Sequence, residues 1–367
     1  MSPLAYILEP TAIPALLVYP LKLCAATTFT TYVLSLLTGN VGQVDKIWLY
    51  MPTLYTAYWA LLPLWPQKVV GPFYLLPYVP EGADAQTAIV DNYNPRALVI
   101  FGLTVTWMCR LTYNAHRRGL LSFSGEDYRW GVLRQQMSPW LFQVMNLTFI
   151  AIIQNVLLLT IALPTLFAVW QGPAALGPSD YLLGTLALLA LAWEAVADNQ
   201  QFSFHAWKHG NYKPEEHWPG ARLAWTTADR ARGFCTRGLW AWSRHPNYLA
   251  EQSFWCILNL IPLVAPEDKD SSLITDYDHT VRTLKRLAPC LSLCMLFYSS
   301  TDFSENISLS KYPEAYAAYK KRVAKLMPFL TPVHGVLVGL ISGEKEKVRM
   351  EQLVYGEGAL AAKSKSE

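Results

Sequence analysis

The chain has little charge, and its cysteines form no pattern that indicates a zinc site or a disulfide framework. Only 16% of its 367 residues are charged, against about 25% in soluble domains. Its six cysteines are scattered and include no CxxC pair, the spacing expected of many metal and redox sites. No run of lysine and arginine resembles an arm that binds a phosphate backbone, and the net charge is only +3. We therefore expect neither a metal nor a nucleic-acid partner.

Apolar residues, by contrast, are abundant and lie in long segments. They make up 52% of the sequence, which also holds 14 tryptophans and 20 tyrosines, the residues that concentrate at membrane interfaces. Several apolar segments reach the roughly 20 residues that a helix needs to cross a bilayer. We predict an all-α polytopic membrane helix bundle of about seven transmembrane helices, at residues 13–37, 47–65, 97–113, 139–167 (broken near Pro164), 180–197, 250–265 and 287–304.

The basic residues predict the orientation of the bundle. Arginine and lysine collect in loops 114–138 and 198–249 and after the last span, whereas loop 168–179 has none. The positive-inside rule places these basic segments in the cytosol and predicts a cytosolic C-terminus. We assign residues 1–330 to the membrane bundle, with its most specific part at 100–330. Residues 331–367 are predicted to form a C-terminal interfacial segment and a mobile tail, because 329–341 is apolar but too short to cross.

Polar residues cluster on the predicted cytosolic side. Arg110 and Asn114 fall at helical spacing on one face where the third span ends. Arg129 and Arg134 follow and carry fork-shaped donors suited to phosphate. The alternative is that such arginines extend to lipid headgroups.

A second cluster follows the fifth span. Glu194, Asp198, Gln201 and His205 are spaced i, i+4, i+7 and i+11, so they form one stripe of a helix. Asp198 can accept a hydrogen bond from a ribose hydroxyl or an amide. The alternative is a solvated helix end in which Asp198 pairs with a nearby arginine.

The densest cluster is the stretch from Gly238 to Glu251. Pro246 suits the first turn of a helix, whose N-terminus would then be an anion site facing the cytosol. Arg244 and His245 would lie at its entrance, and Asn247 and Glu251 would share one helical face with Tyr248 beside them. The alternative is a structural helix cap with a glutamate–arginine pair.

A fourth cluster begins at Lys311. Tyr312, Tyr316 and Tyr319 lie on one helical face, with Lys320 adjacent and Arg322 close behind. Taken alone, this pattern is typical of an amphipathic interfacial helix.

These clusters, in this order, resemble the steroid 5α-reductase C-terminal-domain family, in particular its uncharacterised membrane branch. The resemblance covers about residues 43–330. The matching pieces are Gln43–Trp48 with Pro52, Trp107–Asn114, Glu126–Trp130 with Arg134, Asp198 with Gln201, Ser243–Glu251 and Tyr312–Pro328.

The resemblance implies a helical membrane bundle that holds NADPH near its cytosolic face and passes a hydride to a carbon–carbon double bond of a lipid or sterol-like substrate. It implies as cofactor-binding residues Arg110, Asn114, Arg129, Arg134, Asp198, Gln201, Arg244, His245, Asn247, Tyr248, Glu251, Tyr319 and Arg322. One departure concerns the substrate. Steroid reductases carry Gln-Glu before a proline in the second span, whereas Leu49-Tyr50-Met51 precedes Pro52 here.

The proton donor and the cofactor have alternatives. Tyr50 and Tyr113, besides Tyr55, are candidates for the catalytic acid that stabilises charge on a substrate carbonyl. Membrane methyltransferases that use S-adenosylmethionine share an Arg-His-Pro-x-Tyr…Glu element like that from Arg244 to Glu251, and a non-enzymatic lipid-binding protein is a third reading. Phosphate distinguishes NADPH from S-adenosylmethionine, because only NADPH carries phosphates that need several cationic donors. Four arginines favour NADPH for this reason: Arg129, Arg134, Arg237 and Arg322. We expect an integral membrane protein of the endoplasmic reticulum or another endomembrane.

Overall fold

A computed structural model of the protein describes residues 14–67, 74–80, 90–122, 124–265 and 277–357, without the side chains of 277–282. Within these residues the chain is helical and contains no strand. It divides into two compact units that are interleaved in sequence. Unit 1 comprises residues 1–184 and 258–289, and unit 2 comprises residues 185–257 and 290–367.

The helices are numbered in chain order. Those that lie within unit 1 are α1 (Ala15–Thr38), α2 (Gln43–Trp48), α3 (Met51–Ala60), α4 (Pro95–Arg117), α5 (Tyr128–Gln136), α6 (Pro139–Met145), a π-helical segment (Asn146–Ile153), α7 (Gln154–Thr160) and α8 (Leu163–Trp170). Three helices run from one unit into the other: α9 (Pro178–Lys208), α11 (Pro246–Leu263) and α12 (Tyr277–Lys311). Those that lie within unit 2 are α10 (Thr227–Arg232), α13 (Pro313–Arg322), α14 (Leu330–Ser342) and α15 (Glu344–Tyr355).

Three stretches of helix in the described residues are long and apolar enough to cross a membrane. They are Ala15–Thr38, Pro139–Trp170 and Pro178–Lys208. Helix α1 shows the pattern that lipid favours, because Phe29 and Leu37 are 71% and 77% exposed while Thr31 and Ser35 are buried. This inversion of the soluble pattern, together with the three helices, indicates a membrane protein.

The second predicted span is not one helix. The chain leaves α2 after Trp48, begins α3 at Met51 and passes into a short 3₁₀ turn at Leu62–Leu64. Pro52 accounts for the start of α3 at Met51, since proline is best tolerated in the first turn of a helix, where its missing N–H would have no partner anyway. The prediction of a break near Pro164 is confirmed, because the chain turns at 161–162 and Pro164 lies in the first turn of α8.

A buried ion pair joins distant segments of unit 1. Arg96 binds Asp180 through two hydrogen bonds of 2.7 and 3.1 Å, and both side chains are 1% exposed. Beside them, the Asn94 amide donates to the carbonyls of Ala168 and Gly172, while its oxygen caps α4 by accepting from the Ala97 N–H. This network fixes the starts of α4 and α9 against the end of α8.

Part of the predicted mobile tail is a packed helix. Helix α15 buries Met350, Leu353 and Val354 against the tyrosines of α13. The fully buried Arg232 donates to the carbonyls of Leu353 and Gly356. The last carbonyls of a helix have no partner within it, so Arg232 anchors this end. Residues from 358 onward, also assigned to the tail, lie outside the described residues.

Candidate functional site

The densest sequence cluster forms an anchored entrance to α11 in unit 2. The helix begins at Pro246, as the sequence predicts. The residues just before it pair with the chain that leaves α13. Arg244 N–H donates to the carbonyl of Ala324 at 2.9 Å, and His245 N–H donates to that of Lys325 at 3.2 Å. Two segments about 80 residues apart in sequence thus hold this helix start in place.

Glu305 of α12 is the centre of a buried charged cluster at the α11 entrance, and sequence reasoning did not select it. Its side chain is 0% exposed, and three nitrogen-bearing side chains bind its carboxylate. Arg244 Nε lies 2.7 Å from Oε1, His245 Nε2 lies 3.0 Å from Oε1, and Lys320 Nζ lies 3.2 Å from Oε2. Arg244 also donates to the carbonyls of Lys320 and Val323. The available signal was an acidic residue directly after the last predicted span, which would need partners if buried.

Burial and pairing decide the charges of this cluster. Burial alone would raise the pKa of Glu305, but the hydrogen bonds from His245 and Arg244 outweigh it and hold that pKa well below its ordinary value. Burial lowers the pKa of His245, and Glu305 only partly opposes this effect. At neutral pH the imidazole is therefore neutral, with its Nε2–H donating to an ionised carboxylate. Arg244 and His245, predicted as cofactor-binding residues at the helix entrance, both bind the carboxylate of the protein's own Glu305.

Asn247 and Asp198 meet beside this cluster. Asn247 Nδ2 donates to Asp198 Oδ1 at 3.2 Å, and the two residues are 8% and 5% exposed. The other polar atom of the amide, Oδ1 of Asn247, is buried and has no hydrogen-bond partner among the described residues. Buried polar atoms are nearly always hydrogen-bonded. An acceptor of this kind is a site at which a ligand N–H or O–H can bind.

The other side chains in the first turns of α11 contact residues of the same unit. Glu251 is buried and accepts a hydrogen bond of 2.9 Å from Trp255 Nε1. The Tyr248 ring stacks on that of His245 with centroids 5.5 Å apart, and Phe297 packs edge-on against it at 5.0 Å. These contacts fix the side chains on both sides of Asn247.

The α9 stripe is graded in burial. Glu194 and Asp198 are buried, Gln201 is half-buried, and His205 is exposed. Burial along the stripe thus increases from His205 toward Glu194, and a ligand contact by its buried half stays a prediction.

Gln200, which the stripe omits, has a structural role. Its Oε1 accepts the Leu239 N–H at 2.8 Å. At Gly238, where φ is +64°, a Cβ would lie 2.4 Å from that same oxygen. Only glycine fits there.

The residues predicted from α13 have internal partners. The Tyr319 hydroxyl donates to the carbonyl of Trp240 at 2.5 Å, and burial raises its pKa well above the ordinary value. Arg322 binds Glu351 of α15 at 3.1 Å and also donates to the carbonyl of Thr331. Both residues therefore stabilise the segments around the α11 entrance.

The arginines expected to bind phosphate are each paired with a carboxylate. In unit 1, Arg129 binds Asp127 at 2.8 Å and Arg134 binds Glu126 at 3.0 Å. In unit 2, Arg237, the residue before the Gly238–Glu251 stretch, binds Asp229 at 2.8 Å, and Arg322 binds Glu351 at 3.1 Å.

The remaining predicted residues lie in unit 1. Asn114 accepts hydrogen bonds of 3.0 and 2.9 Å from Arg117, and Arg110 is half-buried. The candidate acids differ in environment. Tyr113 is 63% exposed and lies under the Arg117 guanidinium, and Tyr50 is 36% exposed, whereas Tyr55 is fully buried.

Comparison with known proteins gives the family. A family described as "protein of unknown function (DUF1295)" matches residues 82–323, most of the chain. The chain belongs to this family. It is also 30% identical over 306 residues to an uncharacterised protein of Schizosaccharomyces pombe, covering 83% of this chain and 77% of that protein. No solved structure matches the chain significantly. The matched region includes the α9 stripe, the α11 entrance, Glu305 and all of α13.

Proposed function

We propose that the protein is a membrane-embedded, NADPH-dependent reductase of a carbon–carbon double bond in a lipid or sterol-like substrate. The proposal places it in an endomembrane such as the endoplasmic reticulum. It has about seven spans and a cytosolic C-terminus, and the entrance of α11 faces the cytosol. The DUF1295 family is, in this proposal, a branch of the steroid 5α-reductase-like proteins that the sequence motifs resemble.

The buried, unpartnered Oδ1 of Asn247 carries the proposal. A nicotinamide carboxamide has two N–H donors, and Oδ1 is an acceptor that lacks a donor. Asp198 orients the Asn247 amide by accepting from its Nδ2, so the oxygen points away from that contact. These residues fit the amide end of the cofactor, and Asp198 and Glu251 would contribute further acceptors. NADPH, when bound, supplies the hydride.

The Glu305 cluster supports this role without contacting a ligand. It neutralises Arg244 inside the protein and fixes the turn that presents Asn247. Preorganised donors and acceptors bind a cofactor with less loss of conformational freedom than mobile ones.

A titration tests the proposal. Tryptophan fluorescence of the purified protein in lipid nanodiscs would be followed while NADPH is added. We expect saturable binding, and we expect Asn247→Leu to weaken it at least about tenfold, about 1.4 kcal/mol, since a hydrogen bond is lost. His205→Ala on the exposed end of the same stripe is the matched control and should bind as the wild type does. Wild-type affinity in Asn247→Leu would refute the assignment of this residue.

One observation favours a second function, a methyltransferase that uses S-adenosylmethionine. The four arginines available for phosphate are paired with carboxylates, and this methyl donor carries no phosphate. Its ammonium group would also supply donors to Asn247 Oδ1. The same titration separates the two functions. Binding of S-adenosylmethionine with no response to NADPH would replace the reductase by the methyltransferase. NADPH binding without turnover of any unsaturated lipid would favour a non-enzymatic lipid-binding protein.

A further inference from the structure

Two buried asparagines of unit 1 face the same side of α1. Asn146 begins the π-helical segment and is 1% exposed, and Asn155 is fully buried. Asn146 Nδ2 donates to Ser35 Oγ at 2.9 Å, and Asn155 Nδ2 lies 3.4 Å from Thr31 Oγ1. Thr31 and Ser35 are about one turn apart on α1, so the two contacts lie about 6 Å apart along that helix.

The π-helical segment makes this arrangement possible. Residues nine apart in an α-helix are separated by about two and a half turns, so they point in opposite directions. Between the two asparagines the chain instead forms turns that enclose an additional residue, and the Gln154 N–H donates to the carbonyl of Phe149, five residues earlier. This change rotates Asn155 toward α1. Such π-helical insertions occur frequently at functional sites.

Each asparagine retains an acceptor that has no donor. Oδ1 of Asn146 and Oδ1 of Asn155 are buried without a hydrogen-bond partner among the described residues. Exchanging oxygen and nitrogen by rotating the amides does not help, because the Ser35 hydroxyl already donates its proton to the Tyr32 carbonyl at 2.7 Å and a carbonyl faces Asn155 Nδ2. Asn155 Nδ2 also donates to the Ala151 carbonyl at 2.8 Å. A buried acceptor left without a donor bears its full desolvation penalty, so two such oxygens favour any ligand that supplies donors.

The geometry points to a binding site for hydroxyl groups between α1 and the π-helical segment of unit 1. The unmet atoms are acceptors, so an anion, which offers no donor, does not suit them. O–H groups supply such donors without bringing a charge into this apolar part of the bundle, and they come either from water or from an apolar alcohol in the bilayer. This site does not depend on the cofactor proposed for unit 2, and its test requires no enzymatic activity.

The first experiment compares two ligands that share an alkyl chain and an oxygen atom, of which only one carries an O–H. Wild-type protein in lipid nanodiscs is titrated with 1-hexadecanol and with hexadecyl methyl ether, which keeps the oxygen but has no O–H. If an alcohol occupies the site, it binds at least about tenfold more tightly than the ether, and this preference disappears in Asn155→Leu. Thr148→Val changes an exposed residue of the same π-helical segment and should preserve the preference. A preference that survives Asn155→Leu overturns the proposal, because the alcohol then binds elsewhere.

The second experiment identifies water. If alcohol and ether bind equally or not at all, the wild-type protein should show an infrared O–H stretching band of buried water that shifts when H₂¹⁸O replaces H₂¹⁶O. The band should be lost in the double variant Asn146→Leu/Asn155→Leu. If a variant fails to fold, the two measurements on the wild type still decide the result. The absence of both a hydroxyl preference and an isotope-sensitive band overturns the proposal.

Discussion

Glu305 offers the sharpest test of how the α11 entrance is stabilised. The change Glu305→Gln keeps the size of the side chain but removes the negative charge from a position that is 0% exposed. Arg244, itself only 6% exposed, then remains buried without its counter-ion. Breaking a buried pair by removing one partner costs about 3–5 kcal/mol. We expect a loss of this size in the free energy of unfolding, which is large compared with the roughly 5–15 kcal/mol that stabilises a typical domain.

The measurement is chemical unfolding of the purified protein in micelles, with thermal unfolding in parallel. Glu344→Gln is the matched control, because Glu344 forms an ion pair with Lys347 in which its side chain is 72% exposed. Such surface pairs contribute about 0–1 kcal/mol, so this variant should unfold nearly as the wild type does. Equal stability of Glu305→Gln and Glu344→Gln would refute the role of Glu305.

The same cluster predicts how stability depends on pH. The pKa of His245 is lower in the folded protein than in the unfolded chain, and so is that of Glu305. The unfolded state therefore binds more protons as the pH falls, and stability decreases with it. The contribution of His245 begins to be lost below about pH 6.5, and that of Glu305 below about pH 4.5. A midpoint of thermal unfolding that stays constant from pH 7.5 to pH 4 would contradict this assignment.

Three further predictions concern the supporting framework. Gly238→Ala should lower the free energy of unfolding by about 1–3 kcal/mol, since it combines a positive φ with a clash against Gln200. Gly39→Ala is the control and should cost less, because Gly39 has a positive φ but no atom within 4 Å of an added Cβ. Equal losses of the two variants in chemical unfolding would exclude the clash. Asp180→Asn should lower stability by about 3–5 kcal/mol, because it breaks a fully buried ion pair, and an unchanged unfolding midpoint would argue against that pair. Tyr319→Phe leaves the buried carbonyl of Trp240 without its donor and should lower the free energy of unfolding by about 1–3 kcal/mol. Hydrogen exchange should then increase in residues 240–245, and unaltered exchange there would count against this contact.

Local patterns in the sequence predicted much of the framework. Apolar length predicted α1, and the first-turn preference of proline predicted the start of α11 at Pro246. Helical periodicity predicted the stripe on α9, of which Glu194 and Asp198 are buried. These features depend on residues a few positions apart, so the physics that determines them is readable along the chain.

The assignment of partners was not readable in this way. Four arginines of the two units looked like phosphate ligands from the sequence, yet each has a carboxylate partner in the structure. Arg129 pairs with Asp127 only two residues away, but Arg322 finds Glu351 on another helix. A charged residue in a sequence reveals what it can bind and not what it does bind, because that depends on which helix faces meet.

By itself, the sequence of this protein determined that it is helical, that several of its helices suit a membrane, and that polar groups collect at the start of α11. Only the tertiary structure decided that Glu305 neutralises Arg244 from 61 residues away and that Asn247 meets Asp198 across 49. The physical reason is that a buried polar group must find a partner, and the helices that provide the partner are brought together by packing rather than by proximity in the chain.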